Sequence, residues 1–135
     1  MARLLSLAQL VPASLAGLVA CAPAEGAGTQ DVGAVVYGGV ETRLLDSDLV
    51  NLHLSVQGGQ DDTAVTAYAG CAVAQFALDH GFGFVRHVRT TIEKKGDIRR
   101  ADAVYTLSPA LPRGLRTIDA EVTVADCADQ GIPTV

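Results

Sequence analysis

Three cysteines, three histidines and a few closely spaced acids are the residues of this chain whose types can do chemistry. Their spacing assigns them little. Cys71 and Cys127 have no second ligand a few positions away, so neither opens a zinc motif. His53, His80 and His87 never fall at the i, i+4 spacing that sets two imidazoles on one helix face. Asp61-Asp62 reads as the cap of a helix, and Asp119 with Glu121 as the wet side of a strand. There is no P-loop, HExxH, CxxC or GxSxG. Gly81-Phe82-Gly83 lacks a third glycine and follows a helix, the wrong setting for a dinucleotide site. A nucleophilic Cys71 needs a base beside it, and a disulfide or a buried thiol is the simpler role. No metal, no cofactor and no catalytic constellation are expected, and the chain is read as a non-enzyme.

Composition narrows the class. The chain has 135 residues, a formal charge of −5, 49% hydrophobic residues and no tryptophan. Its core must therefore be built from Val, Leu, Ile and Ala. A mildly acidic chain gives no reason to expect nucleic acid. Charge is unevenly placed, however. Arg86, Arg89, Lys94, Lys95, Arg99 and Arg100 put six of the ten bases into one stretch. Two readings stay open for them. They form an interaction surface for phosphate head groups, lipopolysaccharide or an acidic envelope protein. Alternatively they are solvated charges that block edge-to-edge strand pairing.

The N-terminus has a different character. Arg3 is followed by an uncharged run of about 17 residues, interrupted by Pro12, at the lower limit for a membrane span. That layout is a secretory signal peptide over residues 1–20. It closes on Leu18-Val19-Ala20-Cys21, which resembles the lipobox of bacterial lipoproteins. The resemblance implies cleavage before Cys21 and acyl chains, such as palmitate, on that residue. Ala20-Cys21-Ala22 also suits ordinary signal peptidase. Ala22 stands where an Asp commonly marks inner-membrane retention, so the resemblance implies the outer membrane, facing the periplasm. With Cys21 lipidated, Cys71 and Cys127 remain as a pair in an oxidising compartment. Their bond would close a loop of about 57 residues, worth about 4 kcal/mol by chain entropy. Two buried free thiols are the alternative. Residues 21–34, small and Gly-rich, read as the lipidated cysteine and a flexible tether.

The elements that must position everything else lie in 35–135, one domain. Val35 to Val40 reads as a short strand weakened by Gly38-Gly39. Asp48 to Val56 is a clear strand, with Val50, Leu52, Leu54 and Val56 alternating against Asn51, His53 and Ser55. Asp61 to His80 is an Ala-rich helix whose stripe is Val65, Tyr68, Ala72 and Phe76, closed by Gly81. Phe82–Thr91 and Ile98–Leu107 form a hairpin around Lys94-Lys95-Gly96-Asp97. Pairing Lys94 with Asp97 sets Arg89 opposite Asp102, Phe84 opposite Leu107, Val88 opposite Ala103 and Arg86 opposite Tyr105. Pro109, Pro112 and Gly114 mark a loop. Ile118, Ala120, Val122 and Val124 then alternate as a last strand that delivers Cys127 past its end. The fold class is α+β: an antiparallel sheet of about four strands with one main helix on its apolar face.

Tyr68-Ala69, the run Ala72 to Leu78, and His80-Gly81-Phe82-Gly83-Phe84 resemble a group of small proteobacterial lipoproteins. With the lipobox, the likeness extends over about half the chain. That group supplies no activity and no catalytic residues. The expected function is a membrane-anchored periplasmic lipoprotein of non-enzymatic, accessory or envelope-interaction type. Its partners are the membrane, through Cys21, and an envelope protein or anionic head groups. The alternative is a small-molecule or lipid-binding module with a pocket between helix and sheet, lined by Val65, Phe76, Phe84 and Tyr105. An enzyme would need His53 or His87 joined to an acid in a concave site.

Overall fold

The strict alternation of Val50, Leu52, Leu54 and Val56 gives one strand an apolar face, and the sheet grows outward from it. The computed structural model describes residues 33–114 and 116–134. Cys21, the signal peptide and nearly all of the tether lie outside the described residues. The order is β1 (Val36–Leu44), β2 (Leu49–Gln57), α1 (Thr63–Asp79), β3 (Phe84–Lys95), β4 (Ile98–Ser108), β5 (Thr117–Asp119) and α2 (Ala120–Gln130). The strands form one antiparallel sheet in the order β1-β2-β4-β3-β5. The α+β class is as expected, with five strands and two helices among the described residues instead of about four and one.

β4 lies between β2 and β3, so β2 and β3 run parallel and α1 crosses over β4 to join them. The side chains of Val50, Leu52, Leu54 and Val56 meet Ala101, Ala103, Tyr105 and Leu107 beneath α1, all buried. α1 is buried on more than its sheet side, because α2 covers it. Cys71 on α1 and Cys127 on α2 form a disulfide across that seam, with Cα atoms 6.0 Å apart. Both helices stop the same way. Gly81 and Gly131 sit at φ 81° and 68°, and the next residues donate back, Phe82 N–H to Ala77 and Ile132 N–H to Cys127. That is the Schellman geometry, which favours glycine at the left-handed position.

Four expectations are corrected. The first strand runs on to Leu44 through a register shift between Tyr37 and Val40. Gly38 permits it, because a Cβ there would collide with the Ser55 hydroxyl, and the Tyr68 hydroxyl donates to the Gly38 carbonyl at 2.6 Å. The last strand is only Thr117–Asp119, and Ala120 to Gln130 is helix. Ala120, Val124 and Cys127 fall at i, i+4 and i+7, a helical stripe hidden inside the alternation. Asp119 is the cap, its carboxylate accepting from Val122 N–H at 3.1 Å. Val122 is left 57% exposed.

The hairpin register is also different. Lys95 pairs with Ile98, so Gly96-Asp97 is a two-residue turn with Gly96 at φ 63°, the first central position that such turns reserve for glycine. A bulge between His87 and Arg89 shifts the rest by one. Arg86 thus pairs with Thr106, clear of buried Tyr105, and Arg89 reaches Asp102 only diagonally, at 3.4 Å.

The fourth correction concerns Arg99. It shares the helix-facing row of β4 with Ala101 and Ala103 and is 4% exposed. Its Nε donates to Asp62 at 2.9 Å. Its Nη atoms donate to the carbonyls of Gly58 and Gly59, both at 3.4 Å, and of Gln60 at 3.1 Å. Arg99 therefore clamps the β2–α1 connection. Asp62 is drawn away from capping α1, and Asp61 accepts from Thr63 N–H instead, at 2.9 Å. The Thr63 hydroxyl and backbone N–H hold the Asp61 carboxyl below its usual range.

Two predictions follow from this packing. Arg99→Ala should cost about 2–4 kcal/mol, because it removes a buried charged donor from Asp62 and three part-buried carbonyls, whereas exposed Arg100→Ala should stay within about 0.5 kcal/mol. Urea unfolding of both variants checks this, and equal losses would rule the clamp out. Burial pushes the Tyr105 phenol from 10.0 up to about 12. Its contribution to stability is whole below pH 10 and is lost as pH rises toward 12, since the unfolded chain ionises first. Wild type should lose about 1.4 kcal/mol per pH unit across that window relative to Tyr105→Phe. Denaturant melts at stepped pH read the difference.

Candidate functional site

α1 packs against the buried row of β2 and β4, and the alternate residues of β2 point to the opposite face of the sheet. Along β2 that open face carries Asn51, His53, Ser55 and Gln57, and strand pairing sets their neighbours. His53 pairs with Glu41 on one side and Asp102 on the other, and Asp102 pairs with Thr91. One row across four strands therefore reads Glu41, His53, Asp102, Thr91. The next row reads Arg43, Asn51, Val104, Arg89, and the row on the other side reads Ser55, Arg100, Glu93.

These rows are tied together. Arg43 bonds Glu41 at 2.6 Å. The Asn51 amide donates to the Asp102 carboxylate at 2.7 Å and to the Ala103 carbonyl at 3.3 Å. Asn51 is buried, as is Val104 beside it, so the centre of this face is sealed and its rim is wet. Two depressions open next to His53. One of about 530 Å³ is lined by Glu41, His53, Ser55 and Arg100 among others. The other, of about 310 Å³, is lined by His53, Thr91, Glu93, Arg100 and Asp102.

The six hairpin bases divide. Arg86, Arg89, Lys95 and Arg100 belong to open-face positions, Lys94 pairs with Arg99 on the helix-facing side, and Arg99 is internal. The histidines divide too. His53 is on the open face. His87 stands edge-on to Tyr105 at 5.2 Å and bonds Thr90 at 2.7 Å. His80 stacks on Phe76 at 3.9 Å and bonds its carbonyl at 2.7 Å, closing α1. His53 does lie between two acids, but among the described residues it bonds neither, and the Asp102 carboxylate is taken by Asn51 and Arg89. Among the described residues no three His, Cys, Asp or Glu side chains converge as metal ligands. What the arrangement can do is recognise a polar, mixed-charge surface through ion pairs and hydrogen bonds. Reading the sequence missed the row through His53, because it depends on β1, β2 and β4 being neighbours. The alternation in β2 already marked His53 as polar-side.

Residues 37–131 match the model of the YNQ4 C-terminal domain. The chain belongs to the YNQ4 C-terminal domain family. The match runs from β1 to the glycine that closes α2, so it spans the sheet and both helices of this chain. A curated relative is an uncharacterized 26.9 kDa protein in the nqo8 5′ region of Paracoccus denitrificans, 34% identical over 101 residues. That alignment covers 75% of this chain and 40% of the Paracoccus protein, so the chain spans less than half the length of the curated relative it matches. No solved structure matches the chain.

Proposed function

We propose that this protein is a membrane-anchored periplasmic lipoprotein of non-enzymatic, accessory type whose working surface is the open face of the sheet. The observation that carries the reading is the division of the domain. One face packs under α1, which is joined to α2 through Cys71–Cys127, while the other carries rows of polar and charged residues around His53. The Leu18–Cys21 tetrad supports the anchor, with lipid on Cys21. A disulfide between two buried cysteines supports an oxidising compartment. Ala22 after the cysteine supports the outer membrane. The partner is an envelope protein or anionic head groups that meet Arg86, Arg89, Lys95 and Arg100.

A ligand held between helix and sheet has less support. Val65 and Tyr105 are packed in the core, with Phe76 against it, and the depressions around His53 open at the surface. A photo-crosslinker at Thr91, on the open face, should capture an envelope component in intact cells. The same group at Thr66, on the exposed side of α1, should not. Arg89→Glu with Arg100→Glu should cut the Thr91 capture at least about tenfold, as expected for the loss of charge pairs at an interface. Equal capture from Thr66 and Thr91 would contradict the assignment of the working face.

A further inference from the structure

β5 pairs with β3 only at residues 84–86. From His87 to Lys95 the edge of β3 has no strand beside it among the described residues. An edge of that length, rich in β-branched residues, is a template for another strand. Its charges decide which strand fits.

We propose that β3 pairs antiparallel with β3 of a second copy, about a two-fold axis at Thr91. The register that uses the regular part of the open edge, from Arg89 to Glu93, is centred on Thr91. It sets Arg89 opposite Glu93 of the second copy, and Glu93 opposite its Arg89. Thr90 lies opposite Ile92, and Thr91 opposite itself. Arg89 and Glu93 both belong to the open face, so the opposed charges share one side of the joined sheet, as antiparallel pairing requires. Arg89 is available for a second acid, being 56% exposed and only 3.4 Å from one oxygen of Asp102. Other registers are disfavoured. A slip of one residue in each strand toward the hairpin tip puts Arg89 opposite Lys95. The opposite slip puts Lys94 opposite Arg86, which β5 already covers. The charges that guard this edge against arbitrary strands thus select one partner strand, its own copy. The interface is isologous, so it closes at a dimer and leaves no open β3 edge for further growth.

Thr91→Cys tests the geometry in the full chain. Directly opposed Cα atoms of an antiparallel pair are about 4.5–5.5 Å apart, within disulfide range. A covalent dimer should therefore form with Thr91→Cys and be absent with Thr66→Cys on α1. In the Thr91→Cys background, Arg89→Glu or Glu93→Arg alone should lower dimer yield about tenfold, because each change sets like charges opposite twice. The double variant Arg89→Glu/Glu93→Arg should restore it. Restoration also shows that the single variants fail through pairing and not through misfolding. No dimer from Thr91→Cys, or a double variant no better than the singles, would overturn the proposal.

Discussion

The guanidinium of Arg99 sits on the helix-facing side of β4 and holds several groups of one connection at once. It bonds Asp62 and reaches the carbonyls of Gly58, Gly59 and Gln60. The sheet order makes that connection critical. β4 is inserted between β2 and β3, so the chain leaving β2 must rise over β4 before α1 can cross. Arg99, from β4 itself, fixes where the rise occurs. A buried cation contributes little net stability compared with a well-packed apolar group, but it penalises any arrangement that leaves it unpaired. Its role is therefore to specify the seat of α1. From that seat the rest follows: Tyr68 meets Gly38 on β1, Cys71 meets Cys127 on α2, and the opposite face stays open.

Much of this was legible in the sequence. β2 and α1 declare themselves by period, and Gly81 by its position after the last turn. The division of the domain into an apolar and a polar side follows from the same alternation. What failed did so for identifiable reasons. Ile118 to Val124 satisfies a two-residue period and, from Ala120, also a helical one. Only Asp119, as a cap, separates the two readings. The hairpin register differs because the two-residue turn is Gly96-Asp97, one position further along than Lys95-Gly96, which moves every opposed pair. Charge along the stretch groups Arg99 with the surface bases, although its alternation with Ala101, Ala103 and Tyr105 places it on the apolar row.

The candidate surface was legible only in part. His53 could be assigned to the polar side of its strand, but Glu41 and Asp102 reach it from strands 12 and 49 positions away in sequence, joined by pairing. It carries mixed charge at fixed positions. Asp102 is engaged by Asn51 and Arg89, so the acids are held in place by neighbours and present fixed charge to whatever docks. α1, joined to α2 by a disulfide, packs against the apolar row of the same strands. This division of labour suits a small domain whose stability resides on one side and whose contacts reside on the other.

The most direct test of the account is intact-mass analysis of the native protein with membrane fractionation, beside Cys21→Ser. The account predicts a wild-type chain that starts at Cys21, carries acyl groups, is two hydrogens lighter than its reduced form, and sediments with membranes, while Cys21→Ser is released. A wild-type protein that is unacylated and soluble would contradict it.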